Sequence, residues 1–306
     1  MRAIDSVELQ DGAMRVRLLS YGAVTQCWWY NGVPLILGYD DPQAYLSDPF
    51  YLGAIVGPVA NRIGRAGYVQ DGVEVSLLAN ERGNTLHSGP EGLSARDWDI
   101  SQADDRTADL TYVAKDGEAG FAGQAVFGVR VSLAGNAMTY DMWARVGAPR
   151  PISLAQHNYY TLGERSGADL SLKMPMEQVL ALSEDGIATG EIENTAETAL
   201  DFRSKRPLRG VTDGIDRFFV GEGSPQPLRP MAELAAPSGL TLRVTTDQVG
   251  AQVYTGHGLG APFDAWGGVC IEPSGYPNAV NQPHFPSVMC TPASPYAQKL
   301  VLEVSA

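Results

Sequence analysis

The sequence predicts an all-β protein folded as a large antiparallel β-sandwich. Three observations carry that expectation. Apolar residues recur with a period of two, turn-forming pairs separate the alternating stretches, and no long stretch repeats with the 3.6-residue period of a helix.

The alternation runs the length of the chain. Val73, Val75 and Leu77 alternate with Glu74 and Ser76, and Val129, Val131 and Leu133 with Arg130 and Ser132. Met138, Tyr140, Met142, Ala144 and Val146 form the longest series. Leu170, Leu172 and Met174 follow, then Leu240, Leu242 and Val244, and Leu300, Leu302 and Val304 close the chain. Successive side chains of a strand point to opposite faces, so each series predicts a strand with one buried face. Between them stand Asn31-Gly32, Asp71-Gly72, Asp116-Gly117, Gly135-Asn136 and Pro237-Ser238-Gly239, pairs and triplets suited to tight turns. Without helical periods, βαβ units are excluded and sheet-on-sheet packing remains. No low-complexity linker or internal repeat divides the chain, so residues 1–306 are expected to form a single domain.

Hydrophobic residues make up 44% of the 306 residues and charged residues 19%, enough apolar surface for a sizeable core. The net charge of −13 repels phosphate backbones and argues against nucleic acid as a partner. The three cysteines, Cys27, Cys270 and Cys290, are odd in number and form no C-x-x-C pair, so neither a disulfide framework nor a structural zinc site is expected. Residues 1–5 lead into no apolar signal core, and no segment approaches the ~20 apolar residues of a membrane helix. A cytoplasmic protein with reduced thiols and no membrane partner is the expectation. Oligomeric state leaves no mark in the sequence.

Two signatures lead nowhere. Gly256-His257-Gly258-Leu259-Gly260-Ala261 fits G-x-G-x-x-A, but Pro262 and Phe263 follow where a dinucleotide site needs a helix to begin. H-E-x-x-H and G-x-S-x-G are both missing. The four histidines are scattered, and His257 and His284 read as loop or structural residues.

Polar residues interrupt the β pattern in four places: G-P-V-A-N-R-I-G at 57–64, N-T-L-H-S-G-P-E-G at 84–92, I-S-L-A-Q-H-N-Y-Y-T-L-G at 152–163, and C-I-E-P-S-G-Y-P-N-A-V-N-Q-P at 270–283. Singly, most have bland readings. His87 suits a loop, His157 a hydrogen-bonded position at a sheet end, and Arg62 a surface charge. Glu272 differs, because it closes an apolar run, where a carboxylate is costly to bury unless it is paired or functional.

Together, and in this order, the four segments resemble the aldose 1-epimerase (galactose mutarotase) family. That family shows G-R-x-A-N-R-I, L-H-G-G, N-L-x-x-H-x-Y-F-N-L, D-H-x-F and a closing L-E-x-Q-x-x-P-D-A-x-N. The chain reads G-P-V-A-N-R-I, L-H-S-G, I-S-L-A-Q-H-N-Y-Y-T-L, D-G-I-D-R-F-F-V at 213–220, and I-E-P-S-G-Y-P-N-A-V-N. Gly38-Tyr39-Asp40-Asp41 with Tyr45, and the strand end Tyr254-Thr255-Gly256, extend the match along nearly the whole chain.

The resemblance implies the galactose mutarotase-like supersandwich and an isomerase that exchanges the anomers of a monosaccharide without cofactor or metal. It makes Glu272 the base and His157 the acid. It also makes Arg62, His87, Asp216 and Asn61 sugar-binding residues; Asp213 stands close enough to Asp216 to be confused with it. The chemistry suits these groups. A cyclic hemiacetal opens when O1 loses a proton and the ring oxygen gains one, so a carboxylate and an imidazolium on either side can act in concert. Nearby carboxylates such as Asp216 are expected to favour protonated His157. Trp28, Trp29, Tyr159 and Tyr160 are candidates to cover a sugar face, with core packing as their ordinary role.

The chain departs from the family pattern at Pro58, Ser88, Thr161, Arg217, Ser274 and Asn278. The acid and base positions survive, so the departures point to altered substrate preference. Three alternatives share these residues. A hexose-phosphate mutarotase would gather arginines such as Arg65, Arg82, Arg96 and Arg217 at the rim. Another acid–base isomerase would act on a related cyclic sugar or lactone. A non-catalytic carbohydrate-binding protein would have no use for the acid–base pair.

Overall fold

The computed structural model describes residues 3–221 and 227–306. All but the Val73–Leu77 stretch contribute strands to one nine-stranded sheet. Its order runs Asp99–Asp104, Thr107–Ala114, Ala125–Ala134, Ala137–Val146, Tyr296–Ser305, Thr241–Thr246, Arg229–Ala235, Ser171–Lys173 and Arg206–Pro207, with every neighbouring pair antiparallel. The C-terminal strand lies between Ala137–Val146 and Thr241–Thr246, so the end of the chain closes the middle of the sheet.

The register follows from burial. Val129, Val131, Met138, Tyr140, Met142, Leu300, Leu302 and Val304 are all buried, while Arg130 between them is exposed. A slip of one residue would turn these side chains to water, and each is worth about 1.5–3 kcal/mol when buried. The same core includes Phe219, Ala251, Val253 and Ile271 from a second, five-stranded antiparallel sheet. That sheet runs Ala188–Asn194, Gln178–Leu182, Asp216–Val220, Gly250–Tyr254 and Cys270–Ser274. Its two faces therefore differ. One carries Phe219, Val253 and Ile271 into the core, and by the period of two the other carries Asp216, Gln252, Tyr254, Cys270 and Glu272.

The predicted all-β class holds: among the described residues there is no α-helix, only short 3-10 turns. Gly256–Ala261 is loop, so no helix N-terminus forms there. All five predicted turn sites are turns. One expectation needs correction. The alternation places Val73 on a buried face, yet it is 65% exposed. It follows the Asp71-Gly72 turn at the tip of the hairpin Gly67–Gln70 with Val73–Ser76, where nothing covers it; only Tyr68, Val75 and Leu77, farther from the tip, join a small cluster with Ile63 and Phe121.

Candidate active site

Three short pieces of chain meet over the polar face of the five-stranded sheet. The strand Arg62–Ile63 pairs with Thr85–Leu86, which delivers His87 immediately after its end. The strand Ala155–Gln156 pairs with Ile55–Val56 and delivers His157 in the same way. Glu272 needs no such loop; it sits within the strand Cys270–Ser274, directly opposite Gln252.

At the centre His157 Nε2 lies 3.6 Å from Glu272 Oε1, and both side chains are almost fully buried. The other ring nitrogen of His157 faces the Cys270 thiol, with Nδ1 to Sγ at 3.7 Å. His87 stands edge-on to His157 with ring centroids 5.2 Å apart, and Tyr51 packs against both imidazoles at 4.7 and 5.9 Å.

Burial governs the protons of this pair. It pushes His157 down to about 4. Burial, reinforced by the charge of Asp216 and opposed by Arg62, pushes Glu272 up to about 8. Near neutrality the pair therefore holds one proton, resting on Glu272 and facing a neutral His157. This corrects the expectation that Asp216 keeps His157 protonated. Asp216 acts on Glu272, and desolvation outweighs any carboxylate's pull on the imidazole. A second correction concerns position. His157 and Glu272 do not flank a gap; they stand side by side.

That arrangement still fits a hemiacetal carbon. Two oxygens on one carbon are about 2.3 Å apart, and a proton-transfer contact spans about 2.6–3.2 Å. An edge carrying O1 and the ring oxygen therefore spans a carboxylate and an imidazole 3.6 Å apart, one oxygen over each.

His87 has a different state. Its Nδ1 accepts a hydrogen bond of 3.1 Å from the backbone N–H of Asn61. Burial, with the charges of His157 and Arg62 adding to it, holds its pKa well below the usual imidazole range. A neutral ring that accepts at Nδ1 carries its proton on Nε2, so His87 is a fixed donor. One potential ligand atom from each of His87, His157 and Glu272 falls within 4.8 Å of the others, a spacing that suits a metal ion. The His87 tautomer opposes that use, because a ligating histidine donates its remote N–H to an acceptor and here the remote partner is itself an N–H.

Arg62 forms the positive corner. Its Nε donates to Glu81 Oε2 at 2.5 Å, Nη2 to Glu81 Oε1 at 3.0 Å, and Nη1 to Asp216 Oδ2 at 3.3 Å. Burial opposes the charge, but the Glu81 and Asp216 contacts outweigh it and raise its pKa. The other oxygen of Asp216 accepts from Gln252 Nε2 at 2.5 Å.

Arg62, His87, His157, Asp216 and Glu272 thus converge. Asn61 enters through its backbone; its side-chain Oδ1 accepts from the N–H of Arg62 at 2.7 Å. Trp28 and Tyr160 are core residues in edge contact with each other, and Tyr159 packs against His157. Arg96 is committed to Glu91 and Glu118, whereas Arg65 and Arg82 are exposed. His284 Nε2 contacts the carbonyl of Gly190, and His257 packs on Tyr254 and Trp266, both as structural residues. Glu81, Gln252, Cys270 and Tyr51 escaped the sequence reading. Gln252 left a signal, a polar residue between Ala251 and Val253 in a buried strand. Glu81 left none, because a charged residue in a turn is ordinary.

Comparison with known proteins places the whole chain in one family. The family described as aldose 1-epimerase matches residues 5–303. Galactose mutarotase of Bos taurus is 31% identical over 314 aligned positions, covering 96% of this chain and 92% of the relative. Aldose 1-epimerase of Escherichia coli (strain K12) is 30% identical, covering 83% and 80%. The crystal structure of the GalM/aldose epimerase homologue from C. elegans superposes with a TM-score of 0.93 at 25% identity, covering 99% of each chain. On this match of sequence and fold, the chain belongs to the aldose 1-epimerase family of isomerases.

Proposed function

We propose that this protein interconverts the α and β anomers of a monosaccharide by acid–base ring opening, with Glu272 taking the proton from O1 and His157 giving one to the ring oxygen. The observation that carries the reading is the buried His157–Glu272 contact at 3.6 Å on the polar sheet face. The resting proton lies on Glu272. A sugar whose hydroxyl donates to Glu272 favours the carboxylate, and the proton crosses to Nε2 with no change in net charge. The pair is then ready for the ring form. Ring opening moves the O1 proton to Glu272 and the Nε2 proton to the ring oxygen, and rotation about C1–C2 followed by reclosure with both transfers reversed gives the other anomer.

His87 Nε2–H, Arg62 and Asp216 fit the role of holding the sugar, His87 as a neutral donor and Asp216 as an acceptor, while Asn61 supports His87 through its backbone N–H. The largest core cluster draws on residues from Leu9 to Val304, which supports one domain over residues 1–306. Among the described residues no helix is long and apolar enough to cross a membrane.

The test is anomer exchange measured by NMR saturation transfer over a panel of aldoses. Glu272→Gln and His157→Asn are each expected to lower kcat by about 10²–10⁴-fold. Acceleration that persists in both variants overturns the assignment.

A further inference from the structure

The charges around Arg62 do not balance. Glu81 occupies two of its donors and Asp216 a third, so two carboxylates surround one guanidinium. The Glu272–His157 pair adds no net charge when it holds one proton. The sugar-facing cluster therefore carries one net negative charge, on a protein whose total is −13. Arg62 is well buried, and Glu81 is about a quarter exposed, at the outer side of the clamp. The fork of Nε and Nη2 is the part of a guanidinium best shaped to grip a carboxylate or phosphate, and Glu81 holds it.

We propose that Glu81 is a specificity-determining residue: it occupies the Arg62 fork and adds the charge that restricts the site to neutral sugars, excluding uronic acids and sugar phosphates. This rests on the mutarotase reading and deepens it. Glu81 acts through Arg62 and touches none of the reacting atoms, so it is a positioning residue. The same geometry explains why an arginine in a sugar site does not by itself make an anion site. Without Glu81 the fork is open and the cluster is neutral.

The experiment compares wild type, Glu81→Gln and Glu81→Asp on one neutral aldose and the matching uronic acid. It reads the ratio of kcat/KM for the uronate to that for the aldose. One charge removed at a separation of about 8 Å, with an effective dielectric of 20–40, corresponds to roughly five- to thirtyfold. The ratio is expected to rise by that factor in Glu81→Gln and to stay at the wild-type value in Glu81→Asp, which keeps the charge. Higher salt should narrow the gap between wild type and Glu81→Gln. A ratio that Glu81→Gln leaves unmoved, or that Glu81→Asp raises equally, overturns the proposal. Dissociation constants for the two sugars, from ligand titrations by NMR, give the same ratio without turnover. A wild type that accelerates no sugar therefore defeats the mutarotase reading, while the binding ratio still decides the role of Glu81.

Discussion

Replacing Glu272 by Gln should make the protein more stable as it makes it inactive, and the gain should grow with pH. Glu272 is 3% exposed, and its pKa rises from 4.5 to about 8 on folding. A group with a raised folded pKa contributes stability that is complete below the unfolded value and lost as pH rises through the folded one. Between pH 5.5 and 8 the unfolded chain has released this proton and the folded chain still holds it. Each pH unit in that window costs the wild type about 1.4 kcal/mol, or roughly 3 kcal/mol across it. The glutamine of the variant has nothing to ionise, and its amide can still donate to His157 Nε2. His157 stays neutral in the folded state throughout this window, so its term is common to both proteins. With an unfolding entropy of ~2.1 cal/mol/K per residue over this chain, roughly 3 kcal/mol is about 5 °C in Tm. Calorimetry of both proteins at half-unit steps from pH 5.5 to 8 measures the difference. A Tm difference that is flat across the window, or a variant less stable than wild type at pH 8, would refute the argument that burial holds a proton on Glu272.

The remaining predictions concern the same pair and one loop. The one-proton state should give a bell-shaped profile of kcat/KM, falling as pH drops through about 4 and as it rises through about 8; initial rates of anomer exchange measure both limbs. Asp216→Asn removes a charge that raises Glu272, so its alkaline limb should move to lower pH, while KM rises from the lost acceptor; an unmoved limb contradicts the coupling. Asn278 is buried, and its Nδ2 donates to the Ala188 carbonyl at 3.0 Å while its Oδ1 accepts from Gly64 N–H at 3.1 Å. Asn278→Asp keeps the acceptor, loses the donor and sets a carboxylate against that carbonyl. It should cost about 1–3 kcal/mol, a fall of roughly 2–5 °C by calorimetry.

How much of this the sequence discloses depends on the range of the physics. Strands with one buried face write their period directly into the chain, as at 129–133, 138–146 and 300–304. Where a hairpin tip has no covering layer, the same period means nothing, and Val73 shows it. The proposed acid–base pair is legible because Glu272 interrupts an apolar run and His157 stands in an ordered set of motifs. Its proton is not. The resting state depends on how deeply the pair is buried and on which carboxylate lies closer, quantities that only the assembled sheet supplies. Glu81 was invisible for a related reason. Its importance comes wholly from Arg62, nineteen positions away and reached through the pairing of two-residue strands.

The departures from the family pattern show the same dependence on context. Sequence alone reads them as changes of substrate preference, yet the side chains of two of them serve local backbone contacts. Ser88 has φ of +67°, a left-handed conformation that favours the glycine usual at that position. Its hydroxyl accepts from Val59 N–H at 2.8 Å and donates to the Val59 carbonyl at 3.1 Å, tying the His87 loop to the segment that leads into Asn61. Asn278 has φ of +59°, which asparagine tolerates better than most residues, and its amide joins Gly64 to Ala188. Neither side chain is spent on the sugar-facing cluster. The loops that carry His87 and Arg62 are thus held by local contacts of Ser88 and Asn278, while the strand that carries Glu272 is fixed by the sheet. Changes of specificity are better sought at residues that alter the charge or free donors of that cluster. Glu81, which the motif comparison passes over, is one of these; Ser88 and Asn278, which it flags, are not.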